Sequence, residues 1–137
     1  MPWFLFLFPF LLLGCAQQES AEELLDHYLQ LSDAGAIEGF DELLTGSALN
    51  SAVQANEVIR ELELEQVGET SFHSFQDLGN GEYGFCLDVS NTRLIDSSGN
   101  DLTPEQRPPQ VPMKMRIESF AHGSKISELD IRRFSRC

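Results

Sequence analysis

The sequence predicts an α+β domain in which three N-terminal helices pack on a four-stranded, mostly antiparallel sheet. Apolar residues recur at helical spacing between positions 20 and 62, whereas apolar and polar residues alternate, as they do in strands, between positions 67 and 134. Asn80-Gly81 lies between two such strands and indicates a hairpin, because both central positions of a type I′ turn need positive φ. Helices followed by strands that meet in hairpins are typical of an α+β domain.

Each predicted helix has a start or an end signal. Ser20 and Glu23 have the spacing of a capping box, and the helix that they begin ends at Asp33-Ala34-Gly35. The second helix is short and closes at Thr45-Gly46, and Ser47 is the predicted N-cap of the third. The apolar positions of the second helix are Ile37, Phe40, Leu43 and Leu44, and those of the third are Leu49, Val53, Val58, Ile59 and Leu62.

Four strands are predicted in the second half of the chain. They cover residues 67–78, 82–90, 111–121 and 125–134, and Arg93-Leu94-Ile95 is a candidate extension of the second strand past a bend. Residues 96–110 contain three prolines and a glycine, so we expect a long exposed loop there. On the second strand, alternation places four apolar side chains on one face: Tyr83, Phe85, Leu87 and Val89.

The N-terminus indicates export and lipidation. Residues 1–13 carry no charged side chain, and at this length they are shorter than the roughly 20 residues that a membrane-spanning helix needs. Leu12-Leu13-Gly14-Cys15 resembles the lipobox of bacterial lipoprotein precursors, in which the cysteine thiol takes a diacylglyceryl group. No Lys or Arg precedes the apolar run, where a signal peptide usually has positive charge. The alternative is a hydrophobic N-terminal helix or strand with an ordinary core cysteine.

The expected organisation follows from that motif. Residues 1–14 are a lipoprotein signal peptide, residues 15–20 a lipidated tether, and residues 21–137 a single domain of ordinary size. The expected location is the extracytoplasmic face of the cell membrane, to which the chain is held by lipid on Cys15.

The charge of the chain restricts its partners. The net charge is −13, and every charged residue follows Cys15. Such a surface repels the phosphate backbone, so we expect no nucleic acid ligand. It also repels anionic lipid, so the lipid anchor, rather than the protein surface, provides the membrane contact. An envelope protein is a candidate partner.

One run of acidic residues has two interpretations. It is either a solvated face of the domain or a surface that attracts cations or a basic partner, and its members are Glu57, Glu61, Glu63, Glu65 and Glu69.

Two cysteines remain once Cys15 is assigned to lipid. Outside the reducing cytosol, Cys86 and Cys137 can persist as a disulfide. The alternative is a buried free thiol at Cys86 and a frayed terminus at Cys137. The chain has no C-x-x-C or H-E-x-x-H spacing, so neither a metal site nor a cofactor is predicted.

The order and length of the elements resemble the nuclear-transport-factor-two-like cone fold, which ketosteroid isomerases share with many exported bacterial domains. A narrower resemblance is to small lipoproteins predicted in actinobacteria. It rests on Cys86-Leu87-Asp88-Val89-Ser90 followed by Asp96-Ser97-Ser98-Gly99. The resemblance implies fold rather than activity, because one fold supports many functions.

A cone fold implies a pocket between helices and sheet. Tyr28, Asp88 and Arg116 are the candidate pocket residues, with Asp88 as a base and Tyr28 as an oxyanion donor in an isomerase-like reaction. Alternation instead places Asp88 on the outer face, opposite Leu87. No catalytic motif is recognised, so the expected function is a non-enzymatic binding or assembly module. The alternative is a pocket protein that binds or isomerises a small hydrophobic ligand.

Overall fold

The computed structural model describes residues 19–137, in which three helices precede six strands. The predicted signal peptide and the predicted lipidation site, Cys15, lie outside the described residues. The helices are α1 (Ala21–Asp33), α2 (Phe40–Leu43) and α3 (Gly46–Glu61). The strands are β1 (Glu65–Val67), β2 (Ser71–Gly79), β3 (Glu82–Asp88), β4 (Arg93–Ile95), β5 (Gln110–Phe120) and β6 (Gly123–Ile131).

The main sheet has four strands in the order β2-β3-β5-β6, and every neighbouring pair is antiparallel. This confirms the predicted α+β class and the four-stranded antiparallel sheet. The predicted extension at Arg93–Ile95 is wrong, because β4 leaves the main sheet and pairs with β1 in a separate two-stranded sheet.

The helices cover one face of the main sheet. Leu24 and Leu25 of α1 and Phe40 of α2 are buried together with Met115 of β5 and Ile126 of β6. Apolar side chains at alternate positions of β3 and β5 point to this face, as the sequence alternation predicts. The burial of these side chains against the sheet supplies the stabilisation that short helices lack on their own.

The helix starts agree with prediction for α1 and differ for α3. The Ser20 hydroxyl accepts a hydrogen bond from Glu23 N, and the Glu23 carboxylate accepts one from Ser20 N, which completes the capping box. Ser47 is not an N-cap: Thr45 holds that position, and the Ser47 hydroxyl donates to Ser127 O (3.3 Å). Thr45 N also donates to Ile126 O (2.9 Å), so contact with β6 fixes the chain before α3 begins.

The predicted strand over residues 67–78 is divided in two. Gly68 has φ of 87°, and a Cβ there would lie 1.9 Å from Asn91 O. Only glycine tolerates that close approach in that conformation. The chain turns at this point, so β1 ends at Val67 and β2 begins at Ser71.

The C-terminal residues lie on the sheet face that points away from the helices. Arg132 N donates to Pro112 O (2.8 Å), and a Cβ at Gly84 would meet the Arg132 guanidinium at 2.9 Å. Further along, Cys137 forms a disulfide with Cys86 of β3, and their Cα atoms are 5.7 Å apart. The tail therefore covers Gly84 and Cys86, which explains why these outward-facing residues are buried.

Candidate functional site

A cavity of about 190 Å³ lies between α1 and the main sheet. We call it the sheet cavity. Its apolar wall comes from Leu25 and Leu29 of α1 and from Phe85, Leu87, Met113 and Leu129 of the sheet. An apolar concavity with a few polar groups at one side is the usual form of a small-molecule site.

The polar side of the sheet cavity is organised around Asp33, the last residue of α1. The Asp33 carboxylate accepts hydrogen bonds from Thr70 N (2.7 Å), from the Thr70 hydroxyl (2.6 Å) and from the Gln66 side-chain amide. All three residues are half-buried. We call these three residues the Asp33 cluster. The hydrogen bonds of the Asp33 cluster connect the end of α1 to the chain that leads into β2.

Tyr28 lies in the sheet cavity, as the cone resemblance implied. Its ring packs against Phe40, with centroids 5.8 Å apart. Burial raises the pKa of the Tyr28 phenol, a hydrogen bond with Ser32 opposes the rise, and the charge of Asp33 adds to it. Tyr28 therefore stays neutral at physiological pH and can donate a hydrogen bond.

Asp88 is not part of the sheet cavity. Its carboxylate accepts hydrogen bonds from Ser90 N (2.9 Å) and the Ser90 hydroxyl (2.6 Å) and so closes the turn after β3. These bonds lower the pKa of Asp88. Its neighbour Leu87 faces the cavity, so alternation directs Asp88 to the outer face. A carboxylate that is stabilised in its charged form and faces outward is poorly placed as the proposed base.

Arg116 also lies away from the sheet cavity. Its neighbour Met115 is fully buried in the core, whereas the Arg116 side chain is exposed on the outer face. The guanidinium donates to Glu82 (2.6 Å) and lies 3.5 Å from Glu128. Of the three candidate pocket residues, the structure thus places only Tyr28 at the cavity.

Sequence reasoning missed the Asp33 cluster, because it treated Asp33 only as part of a helix end. One signal was present. An acidic residue at the C-terminus of a helix is disfavoured by the helix dipole, so a carboxylate there suggests a tertiary partner. The partners themselves are 33 and 37 residues away along the chain, and no local pattern identifies them.

The Asp33 cluster stabilises the fold rather than providing a reactive group. Three donors engage the Asp33 oxygens, so this carboxylate holds the end of α1 to the chain before β2. Tyr28 remains as a polar group beside an apolar wall. Such an arrangement can hold and orient a small apolar molecule that carries one acceptor.

Two further observations concern the described residues only. Between Glu19 and Cys137, no group of three or more His, Cys, Asp or Glu side chains is placed to hold a metal ion. Within that same range, none of the helices combines the length and the hydropathy that a membrane span requires.

Comparison with known proteins identifies the fold but no family. No protein-family model and no curated protein matches the chain. Among solved structures, it is similar to the intermembrane space region of the chloroplast protein ARC6, with a TM-score of 0.56 and 17% identity over 81% of this chain and 92% of that chain. A designed protein whose name includes NTF2 aligns with a TM-score of 0.44 and 11% identity over 79% and 93% of the two chains. At these identities the likeness to ARC6 shows a shared fold alone.

Proposed function

We propose that this chain is a membrane-tethered extracytoplasmic lipoprotein whose cone-type domain is a non-enzymatic binding or assembly module. The observation that favours a non-enzymatic role is the Asp33 cluster. The carboxylate nearest the sheet cavity is held by three donors, and Asp88 and Arg116 are engaged on the outer face. The carboxylates and the guanidinium that an isomerase-like site would use are thus engaged in contacts within the fold, and Tyr28 alone of the candidate pocket residues remains at the cavity.

The lipid anchor is supported by the lipobox sequence and by the position of α1. The capping box at Ser20 fixes where the folded domain begins, only five residues after Cys15. Five extended residues span at most about 18 Å, so the domain sits close to the bilayer.

The anchor is tested by labelling. The full chain is expressed with radiolabelled palmitate in a bacterium that processes lipoproteins, next to a Cys15→Ser variant. The wild type is expected to take up label and to sediment with membranes, whereas Cys15→Ser takes up none, because no other cysteine follows a lipobox. Label in the variant, or its absence from the wild type, refutes the anchor.

A second candidate function is favoured by the apolar wall of the sheet cavity. A cavity of about 150 Å³ is known to accept benzene, so about 190 Å³ accommodates a single-ring compound but not a steroid. Acetophenone, a single ring with one carbonyl acceptor, is a suitable probe. In an NMR titration we expect saturable shifts of the Leu87 and Met113 methyl groups, and Leu29→Phe, which fills the cavity, should abolish them. Shifts that persist in the variant would place the probe elsewhere.

A further inference from the structure

A second concave surface lies on the helical layer, outside the sheet cavity. The loop before α2 and the adjacent flank of α3 enclose a groove of about 700 Å³. Its apolar floor is formed by Ile37, Leu49 and Val53, which are half-buried. We call it the α3 groove. Leu49 and Val53 only border the buried cluster, and Ile37 lies outside it, so the core does not depend on this floor.

Two acidic side chains line the groove, and a third lies beyond its lining on α3. Glu38 and Asp41 stand on the loop side, and no hydrogen bond or ion pair within residues 19–137 engages their carboxylates. On α3, Leu49, Val53 and Glu57 follow one another at intervals of four residues, so they lie on one face of the helix. The lining of the groove contains no cation.

One lysine lies beside this border and offsets only part of its negative charge. Lys125 Nζ donates to the backbone carbonyl of Asp41 (2.6 Å), not to its carboxylate. The net charge of the whole chain, −13, adds a long-range field of the same sign. Such a field speeds the approach of cationic partners and repels anionic ones.

We propose that the α3 groove binds a partner protein segment in which a large apolar side chain is flanked by lysine or arginine. The apolar residue occupies the floor over Val53, and the cations meet Glu38, Asp41 and Glu57. Charge complementarity selects this occupant over a second copy of the chain, whose own net charge of −13 opposes self-association. The inference deepens the proposed binding role and rests on it, but it does not depend on lipid at Cys15.

The test uses a defined probe and a matched pair of variants. The probe is a fluorescent heptapeptide with Leu-Phe at its centre and Lys on both sides, and its control carries Glu in place of Lys. Asn50→Arg puts a cation into the groove lining, whereas Ser51→Arg makes the same charge change one residue away on another helix face. Both positions are exposed, so neither change disturbs the core.

Anisotropy is measured at about 0.15 M salt, where weak surface attraction is screened. The lipoprotein is held in neutral-lipid nanodiscs, with empty nanodiscs as blank. If Cys15 proves to be unmodified, peptide binding is measured with the purified chain without nanodiscs. The absence of lipid at Cys15 and the absence of peptide binding in the α3 groove are then detected separately. We expect saturable binding of the Lys probe only, weakened roughly tenfold or more by Asn50→Arg and by less than about twofold by Ser51→Arg.

Three outcomes overturn the proposal. The first is equal weakening by both variants, which indicates attraction to the overall charge. The second is equal binding of the Glu probe, or no saturable binding of the Lys probe. The third is a dimer in sedimentation that Asn50→Arg dissociates, which makes the groove an interface between two copies of this chain.

Discussion

Reduction of the Cys86–Cys137 disulfide is expected to lower the melting temperature by roughly 15 °C. The two cysteines are 51 residues apart, and a bridge across a loop of this length contributes about 4 kcal/mol by restricting the unfolded chain. The bridge also holds the C-terminal tail over Gly84 on the outer face of the sheet. Calorimetry of the protein with and without reductant measures the effect.

The matched variant for this prediction is Cys137→Ser. Cys137 is exposed, whereas Cys86 is buried, so the change at Cys137 removes the bridge without leaving a polar group in the sheet. The variant should melt at the temperature of the reduced wild type and show no further response to reductant. A wild type whose melting is unchanged by reductant would contradict the stabilising role.

Removal of the Asp33 carboxylate is expected to cost about 3 kcal/mol of unfolding free energy. Asp33→Ala leaves the Thr70 N–H, the Thr70 hydroxyl and the Gln66 amide without their acceptor in a half-buried position. Unsatisfied donors in such positions retain their desolvation cost. Urea denaturation gives the free energy of unfolding directly.

Asp26→Ala is the control for that measurement. Asp26 lies on the exposed face of the same helix and accepts one hydrogen bond, from Gln30 (2.9 Å). Its loss should change stability by less than about 0.5 kcal/mol. Combining Asp33→Ala with Thr70→Ala should cost clearly less than the two single changes added together, because they break the same contacts. Full additivity would show that the cluster does not act as a unit.

The parts of the fold that local rules govern could be predicted from the sequence. The capping box at Ser20 and the hairpin at Asn80-Gly81 each depend on residues within a few positions of one another. Alternation along β3 and β5 also decided which side chains enter the core. The division at Gly68 could not be anticipated, because the close approach of Asn91 comes from a segment 23 residues further on.

The candidate site was harder to predict from the sequence, again because its contacts join segments that are far apart in the chain. Tyr28 was assigned to the pocket by the cone resemblance, and it lines the sheet cavity together with Leu25 and Leu29 of the same helix. Asp88 and Arg116 were assigned by the resemblance to cone enzymes, although alternation already favoured the outer face for Asp88. The Asp33 cluster joins α1 to residues that follow α3, and only tertiary packing shows that pairing.

The intact mass of the protein purified from its native envelope tests the central claim most directly. The account predicts a chain that begins at Cys15, carries a diacylglyceryl group there, and is lighter by two hydrogens because Cys86 and Cys137 are joined. Reductant should restore the two hydrogens and leave the lipid in place. A mass that includes residues 1–14, or an unmodified Cys15, would contradict the assignment of this chain as a lipid-anchored binding module.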